Sequence, residues 1–184
     1  MEIKLLITDF DGTLVNTFKA NYLAYSQAFS EAHLSLTEEQ YRQHYGLRFD
    51  DFMKAMGVDD VEKRKLIRKV KGECYPEYFD TLVVNHPLLD FIRMFHRNGG
   101  KTAVASTARG KNLNNALKHI SALNDFDLIL AGEDVVAGKP SPEIYVTVMN
   151  RMGVTPDETL IFEDSAVGLK AASESGAHYV KVTL

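Results

Sequence analysis

The amino-acid sequence predicts an α/β protein: a Rossmann-like, doubly wound parallel sheet of about five strands, with an α-helical unit inserted after the first strand. Three observations carry this. Short apolar runs alternate with amphipathic helical patterns through the second half of the chain. One early interval of about seventy residues has helical periodicity and no convincing strand. Acidic, hydroxyl and basic side chains stand where the apolar runs end.

Lys4 to Thr8 reads as the first buried strand, closed by the Asp11-Gly12 turn signal. The next comparable run is Lys101 to Ser106, after Asn98-Gly99-Gly100; Phe126 to Ala131, Thr159 to Phe162 and His178 to Val182 follow. Helical patterns separate them. Pro87 suits a first helical position, with Leu88, Phe91, Ile92 and Phe95 as one apolar stripe. Leu113, Ala116, Leu117 and Ile120 form another stripe, and Tyr145, Val148, Met149 and Met152 a third. Ser141 is the expected cap of that third helix, Pro142 its first residue and Gly153 its end. A last helix runs from about Ala166 to Ser175 and stops at Gly176. Strands alternating with helices imply right-handed crossovers in a sheet covered on both faces.

Between Leu14 and His86 the rhythm changes. Phe18, Tyr22, Tyr25, Phe29 and Ala32 step by three and four, as one face of a helix does. Thr37-Glu38-Glu39-Gln40 is a capping box for a second helix ending near Gly46. Asp50 to Met56 and Asp59 to Tyr75 supply two more. A parallel crossover needs only a dozen or more residues, so this is an inserted domain over 15–86, leaving 1–14 and 87–184 as the α/β domain. It departs where open α/β sheets place their ligands, as a lid would.

Apolar residues at 45% and charged residues at 25% fit a packed core rather than disorder. A net charge of −4 supplies no basic face for duplex nucleic acid. Cys74 is the single cysteine, which excludes an intramolecular disulfide. No apolar run approaches the ~20 residues that span a bilayer, and the N-terminal run is interrupted by charges. A cytoplasmic protein with no membrane or nucleic-acid partner is expected. The basic stretch from Lys63 to Lys71 follows Asp59, Asp60 and Glu62, as the two ends of a solvated helix would; the alternative is attraction of an anionic substrate. The six histidines show no close pair at metal-ligand spacing. Core packing is the preferred reading of Tyr22, Tyr25 and Phe29.

The chemistry sits at strand ends. Alternate side chains of an extended chain share a face, so Asp9 and Asp11 can point the same way while Phe10 packs elsewhere. Paired carboxylates need a cation, a shared proton or different surroundings, and Mg²⁺ suits hard oxygen donors. Ser106 ends the second core strand, Lys139 precedes a helix start, and Glu163-Asp164-Ser165 follows Leu160-Ile161-Phe162. Read singly, Ser106 caps a turn, Lys139 is a loop cation, and Glu163-Asp164 answer a helix dipole. Read together, in order and at converging strand ends, they describe one site.

This constellation resembles the haloacid dehalogenase superfamily, in its helical-cap branch that includes phosphoglycolate-phosphatase-like and β-phosphoglucomutase-like members. The stretches that carry the resemblance are Asp9-Phe10-Asp11-Gly12-Thr13-Leu14, Val104-Ala105-Ser106, Gly138-Lys139-Pro140-Ser141-Pro142, and Phe162-Glu163-Asp164-Ser165 with Gly168. The resemblance implies that Asp9 is the nucleophile and that Asp11 is first acid, then base. It implies Mg²⁺ held by Asp9, the carbonyl of Asp11 and Asp164, with Glu163 nearby or acting through a water. Phe10, Gly12, Ser106, Thr107 and Lys139 would surround the phosphoryl group. A phosphoryl dianion facing Asp9 and Asp164 assembles four negative charges, which Mg²⁺ and Lys139 offset by three.

Within that resemblance Asp11 favours transfer to or from oxygen, because carbon–halogen enzymes lack a second aspartate. Lys19 and Lys54 are available in the inserted domain for a phosphonate-cleaving imine, and nothing marks either as desolvated. Mutase-like members usually carry an acid and a histidine where this chain has Asn16-Thr17-Phe18-Lys19-Ala20-Asn21, and Arg48 stands one position off the usual arginine. The expectation is therefore a monomeric phosphatase for a small phosphorylated metabolite: a sugar phosphate, a phosphoglycolate-like ester or a nucleotide monophosphate. A β-phosphoglucomutase-like mutase is the alternative, and a non-catalytic phosphate-binding module a more remote one. Asn21, Arg48 and Lys71 are the cap residues expected to face the substrate.

Overall fold

The structure is a computed structural model that describes residues 2–184. It divides into two compact units, 2–16 with 83–184, and Thr17–Leu82.

The first unit is built on a five-stranded sheet in which every pair is parallel. β1 (Leu5–Thr8) is central. β4 (Lys101–Ala105) and β5 (Leu128–Leu130) lie to one side, β6 (Thr159–Glu163) and β7 (His178–Lys181) to the other, giving the order β5-β4-β1-β6-β7. All four residues of β1 are buried, which is why its sequence is continuously apolar up to Thr8 instead of alternating. Register then sets the site: Thr8 lies beside Val104 on one flank and Phe162 on the other. Asp9, Ser106 and Glu163-Asp164 therefore leave the sheet at one carboxyl edge. The Asp9 N–H, donating to the Phe162 carbonyl at 3.0 Å, extends the ladder one residue further.

Helices α5 (His86–Arg97), α6 (Gly110–His119), α7 (Glu143–Met152) and α8 (Ala166–Glu174) make the crossovers. Ile144, Tyr145, Val148 and Met149 of α7 pack into one cluster with Leu5, Ile7, Ala103, Ala105 and Ile161. Two helix details differ from expectation. α7 begins one residue late, with Pro142 at the cap position, although Ser141 Oγ does accept the Glu143 N–H at 3.3 Å. In α5 the buried positions are Leu88, Leu89 and Ile92, while Phe91 stays 40% exposed. Its ring lies to the side of the stripe and meets Phe162 edge-on, with centroids 6.1 Å apart.

The chain leaves and re-enters this unit through an unanticipated antiparallel ribbon, β2 (Val15–Asn16) against β3 (Val83–Val84). Two-residue strands leave no periodicity to read. Asn85 secures the return: its amide donates to the Thr13 carbonyl at 3.2 Å, and its Oδ1 caps α5.

The second unit holds α1 (Phe18–Glu31), α2 (Glu38–Gln43), α3 (Phe49–Ala55), α4 (Val61–Cys74) and a 3₁₀ turn over Tyr75–Thr81. The Thr37/Gln40 capping box opens α2 as expected. α4 starts two residues later than Asp59, because Asp60 is its cap and accepts the N–H groups of Glu62 and Lys63. α1 is buried on two faces. Phe29 packs with Tyr41 and Phe52, as the aromatic stripe requires. Ala20, Ala24 and Ala28, all fully buried, form a second face whose small side chains admit α4, and Cys74 Sγ reaches the Ala24 carbonyl at 3.6 Å. The basic run of α4 is a solvated face: Lys65 pairs with Glu62, and Arg68 pairs with Asp50 while lying over the Phe49 ring.

Candidate active site

Lys139 is at the centre. Its ammonium donates to Asp9 Oδ1 at 2.6 Å, to Glu163 Oε2 at 2.6 Å and to the Ala105 carbonyl at 3.2 Å, so each of its three N–H bonds has an acceptor. Its side chain is 4% exposed and that of Glu163 1%, so these are buried charge-assisted bonds rather than surface pairs. The loop that delivers it is held from behind by Glu143, whose two carboxylate oxygens accept the N–H groups of Val136 and Ala137 at 2.8 and 2.7 Å.

Glu163 closes β6 and is fixed by five donors. Oε2 takes Lys139 and the Tyr145 hydroxyl, each at 2.6 Å. Oε1 takes the N–H groups of Asp164 and Ser165 at 3.1 Å and the Ser165 hydroxyl at 3.0 Å. Gly168 makes room for this carboxylate: a Cβ there would lie 2.0 Å from Glu163 Cδ. Asp164 accepts from Thr13 Oγ1 at 2.8 Å. Gly12, at φ +94°, passes so close to Asp164 that a Cβ would fall 2.4 Å from its Oδ2. These two glycines let backbone and carboxylates crowd together.

One carboxylate oxygen from each of Asp9, Glu163 and Asp164 lies within 4.8 Å of the other two. Three carboxylates against one ammonium leave an excess of two negative charges, the charge of one divalent cation. The pKa shifts point the same way. Burial, with the Glu163 and Asp11 carboxylates beside it, pushes Asp9 well above the usual carboxylate range despite Lys139. Burial raises Asp164 as well, reinforced by Glu163 and opposed by Thr13. Burial also opposes ionisation of Glu163, but Lys139, Tyr145 and Ser165 outweigh it and hold this carboxyl below its usual range. Burial works against the Lys139 charge too, yet Asp9, Tyr145 and Glu163 overcome it and keep the ammonium protonated. Lys139 and Glu163 thus satisfy each other, and Asp9 and Asp164 are the carboxylates short of positive charge. A hard cation with oxygen ligands fits that donor set.

Asp11 is not in the carboxylate triangle; its Oδ2 accepts from Ser106 Oγ at 3.4 Å. Ser106 Oγ also accepts the Ala108 N–H at 3.0 Å, so it caps a turn and faces Asp11 at once. Thr107 follows in that turn, where Gly132 approaches so closely that a Cβ would meet the Thr107 carbonyl at 2.4 Å. Phe10 is buried, leaving its backbone to the loop: its carbonyl accepts the Val15 N–H at 2.9 Å, and Gly12 N–H returns to the Val15 carbonyl at 2.8 Å. Asn21, Arg48 and Lys71 belong to the helical unit. There Asn21 donates to Thr17 Oγ1 at 3.0 Å, Arg48 occupies the cap position of α3, and the Lys71 ammonium lies 4.0 Å from the Tyr75 ring centroid.

Two participants escaped sequence reasoning. Thr13 stood in the first motif with no role assigned, and Tyr145 was read only as part of an apolar stripe. A tyrosine at a fully buried helical position was the available signal, because its hydroxyl must find a partner.

The chain matches the family described as haloacid dehalogenase-like hydrolase over residues 6–182. It is 27% identical to the phosphorylated carbohydrates phosphatase of Thermotoga maritima, over 95% of this chain and 82% of that protein. It is 26% identical to the fructose-1-phosphate phosphatase YqaB of Escherichia coli, over 97% of this chain and 96% of that protein. The crystal structure of CbbY from Rhodobacter sphaeroides in complex with phosphate has the same fold, with a TM-score of 0.89 at 24% identity, covering 99% of this chain and 87% of that one. With a buried carboxylate–lysine centre at the carboxyl edge of its sheet, and a family match along almost its whole length, this chain belongs to the haloacid dehalogenase-like hydrolases.

Proposed function

We propose that the protein is a Mg²⁺-dependent phosphatase that hydrolyses a small phosphomonoester through an aspartyl-phosphate on Asp9. The observation that carries this reading is the triangle of buried Asp9 and Glu163 with half-buried Asp164, with Lys139 bridging two of its corners and two negative charges left over. Asp9, Asp164 and the Asp11 carbonyl would hold the metal, with Glu163 beside them, and when bound it supplies the positive charge that lets a phosphoryl dianion meet a carboxylate.

The protein's own groups account for the rest. Asp9 attacks phosphorus while the bond from phosphorus to the ester oxygen breaks. Asp11 gives its proton to that leaving oxygen, then takes one from the water that cleaves the acyl phosphate. The Ser106 hydroxyl and the Thr107 N–H hold equatorial oxygens, and Lys139 offsets charge on the nucleophile and on the phosphoryl group. Asn21, Arg48 and Lys71 are our candidates for selecting the organic part of the substrate. Sugar monophosphates come first among substrates to assay, because both phosphatase relatives are named for phosphorylated carbohydrates.

The test is phosphate release from a panel of sugar phosphates, phosphoglycolate and nucleoside monophosphates, with Mg²⁺ or with EDTA. Metal-dependent release that Asp9→Asn abolishes and Asp11→Ala lowers by roughly 10²–10⁴-fold supports the proposal. Isomerisation of β-glucose 1-phosphate without net release would replace it with a mutase. No turnover of any panel member would replace it with a binding module.

A further inference from the structure

Tyr145 is fully buried in the sheet core, and the three-and-four spacing of α7 explains its ring but not its hydroxyl. A phenylalanine would serve the apolar cluster equally well. The hydroxyl donates to Glu163 Oε2 at 2.6 Å, the oxygen that also receives Lys139 at 2.6 Å. The Lys139 ammonium in turn lies 5.0 Å from the centroid of the same tyrosine ring. Tyr145 therefore meets the lysine in two ways, through its ring and through a shared acceptor. Burial, reinforced by Glu163 and Asp9 and opposed by Lys139, keeps the phenol protonated, so its role in the bond is that of donor.

We propose that Tyr145 is a positioning residue of this centre: its hydroxyl holds Glu163 Oε2 and so aims the Lys139 ammonium at Asp9. The physical reason is competition. An oxygen that accepts two short bonds gives less to each, and terminal carboxylate torsions are soft. With the tyrosine bond present, Glu163 is anchored at both oxygens and shares its pull, leaving Lys139 for Asp9 Oδ1 at 2.6 Å. With the bond absent, Oε2 is left to the ammonium alone, the carboxylate turns about its Oε1 contacts, and the lysine shifts toward Glu163. The inference rests on the reading that Lys139 serves phosphoryl transfer.

Tyr145→Phe keeps the ring and deletes the bond. Turnover of the best sugar monophosphate should fall about tenfold in kcat, the scale of one hydrogen bond to a charged group, with KM within about twofold. The melting temperature should fall by roughly 3–6 °C, the loss of that one buried bond. A double-mutant cycle separates positioning from packing: in a Glu163→Gln background the same substitution should change kcat by less than about twofold, because the group it acts through is already altered. An unchanged kcat in an active wild-type background overturns the inference and leaves the phosphatase reading intact. So does an equal loss in both backgrounds, or a fall in melting temperature beyond about 12 °C, more than one such bond can account for. A wild-type protein without phosphatase turnover overturns both.

Discussion

Gly168→Ala tests the packing of the centre without replacing any charged residue. The added Cβ would lie 2.0 Å from Glu163 Cδ and Oε2 and 2.4 Å from Oε1, inside any allowed contact. Long side chains usually swing away from such a clash. This one is held by Lys139, Tyr145, Asp164 and Ser165, so moving it breaks bonds at both oxygens. Lys139 then keeps a buried charge with one acceptor fewer. Breaking a buried ion pair from one side costs about 3–5 kcal/mol, and partial relaxation places the loss near the lower figure. For a chain of this size about 3 kcal/mol corresponds to a fall of roughly 6–12 °C in melting temperature. The loss should accompany a fall in turnover of at least about a hundredfold, because Lys139 is no longer fixed on Asp9. Differential scanning calorimetry and a steady-state phosphatase assay on the same preparation measure both. A melting temperature within about one degree of the wild type, with normal turnover, would refute the claim that Glu163 is locked in place.

Two further outcomes follow from the same centre. Thr13→Val removes a side-chain donor to Asp164 Oδ1, and should weaken apparent Mg²⁺ affinity about tenfold in a titration of activity against metal. The pH dependence has a definite sign. Asp9 is raised above its ordinary 3.8, so between that value and its folded pKa the native state binds more protons than the unfolded one. Its contribution to metal-free stability is therefore full below about pH 4 and is lost as pH rises through the raised value. A divalent cation relieves that loss, so the rise in melting temperature on adding Mg²⁺ should be larger at about pH 8 than at about pH 5. Glu163 has the opposite sign: it lies below its ordinary 4.5, and its contribution disappears as pH falls through the lowered value. An equal Mg²⁺ shift at both pH values would contradict the electrostatic description of Asp9.

The sheet was readable because β1 is buried on both faces and must be apolar throughout, and because its neighbours share that property. The site was readable where chemistry and strand ends coincide, at Asp9, Ser106, Glu163 and Asp164. Lys139 was placed by its position before a helix, and its burial between two carboxylates could not be foreseen from a loop sequence. Periodicity identifies which face a residue occupies and says nothing of its partner. Tyr145 was therefore assigned to the core while the acceptor of its hydroxyl, eighteen residues on, went unseen. The alanine face of α1 was missed for a related reason: small residues give a weak hydrophobic signal, yet they bring α4 within reach of the Ala24 carbonyl. The β2–β3 ribbon was too short to have a pattern at all. Phe91 shows the limit at a helix edge, where a residue within the apolar stripe remained 40% exposed.

The most direct measurement is rapid acid quenching of the protein during turnover of a sugar monophosphate with Mg²⁺, followed by peptide mapping of the acid-stable acyl phosphate. A phosphoryl group on the peptide containing Asp9, absent in Asp9→Asn, is the expected result. Phosphate release with no adduct at Asp9, or turnover retained by Asp9→Asn, would contradict the account.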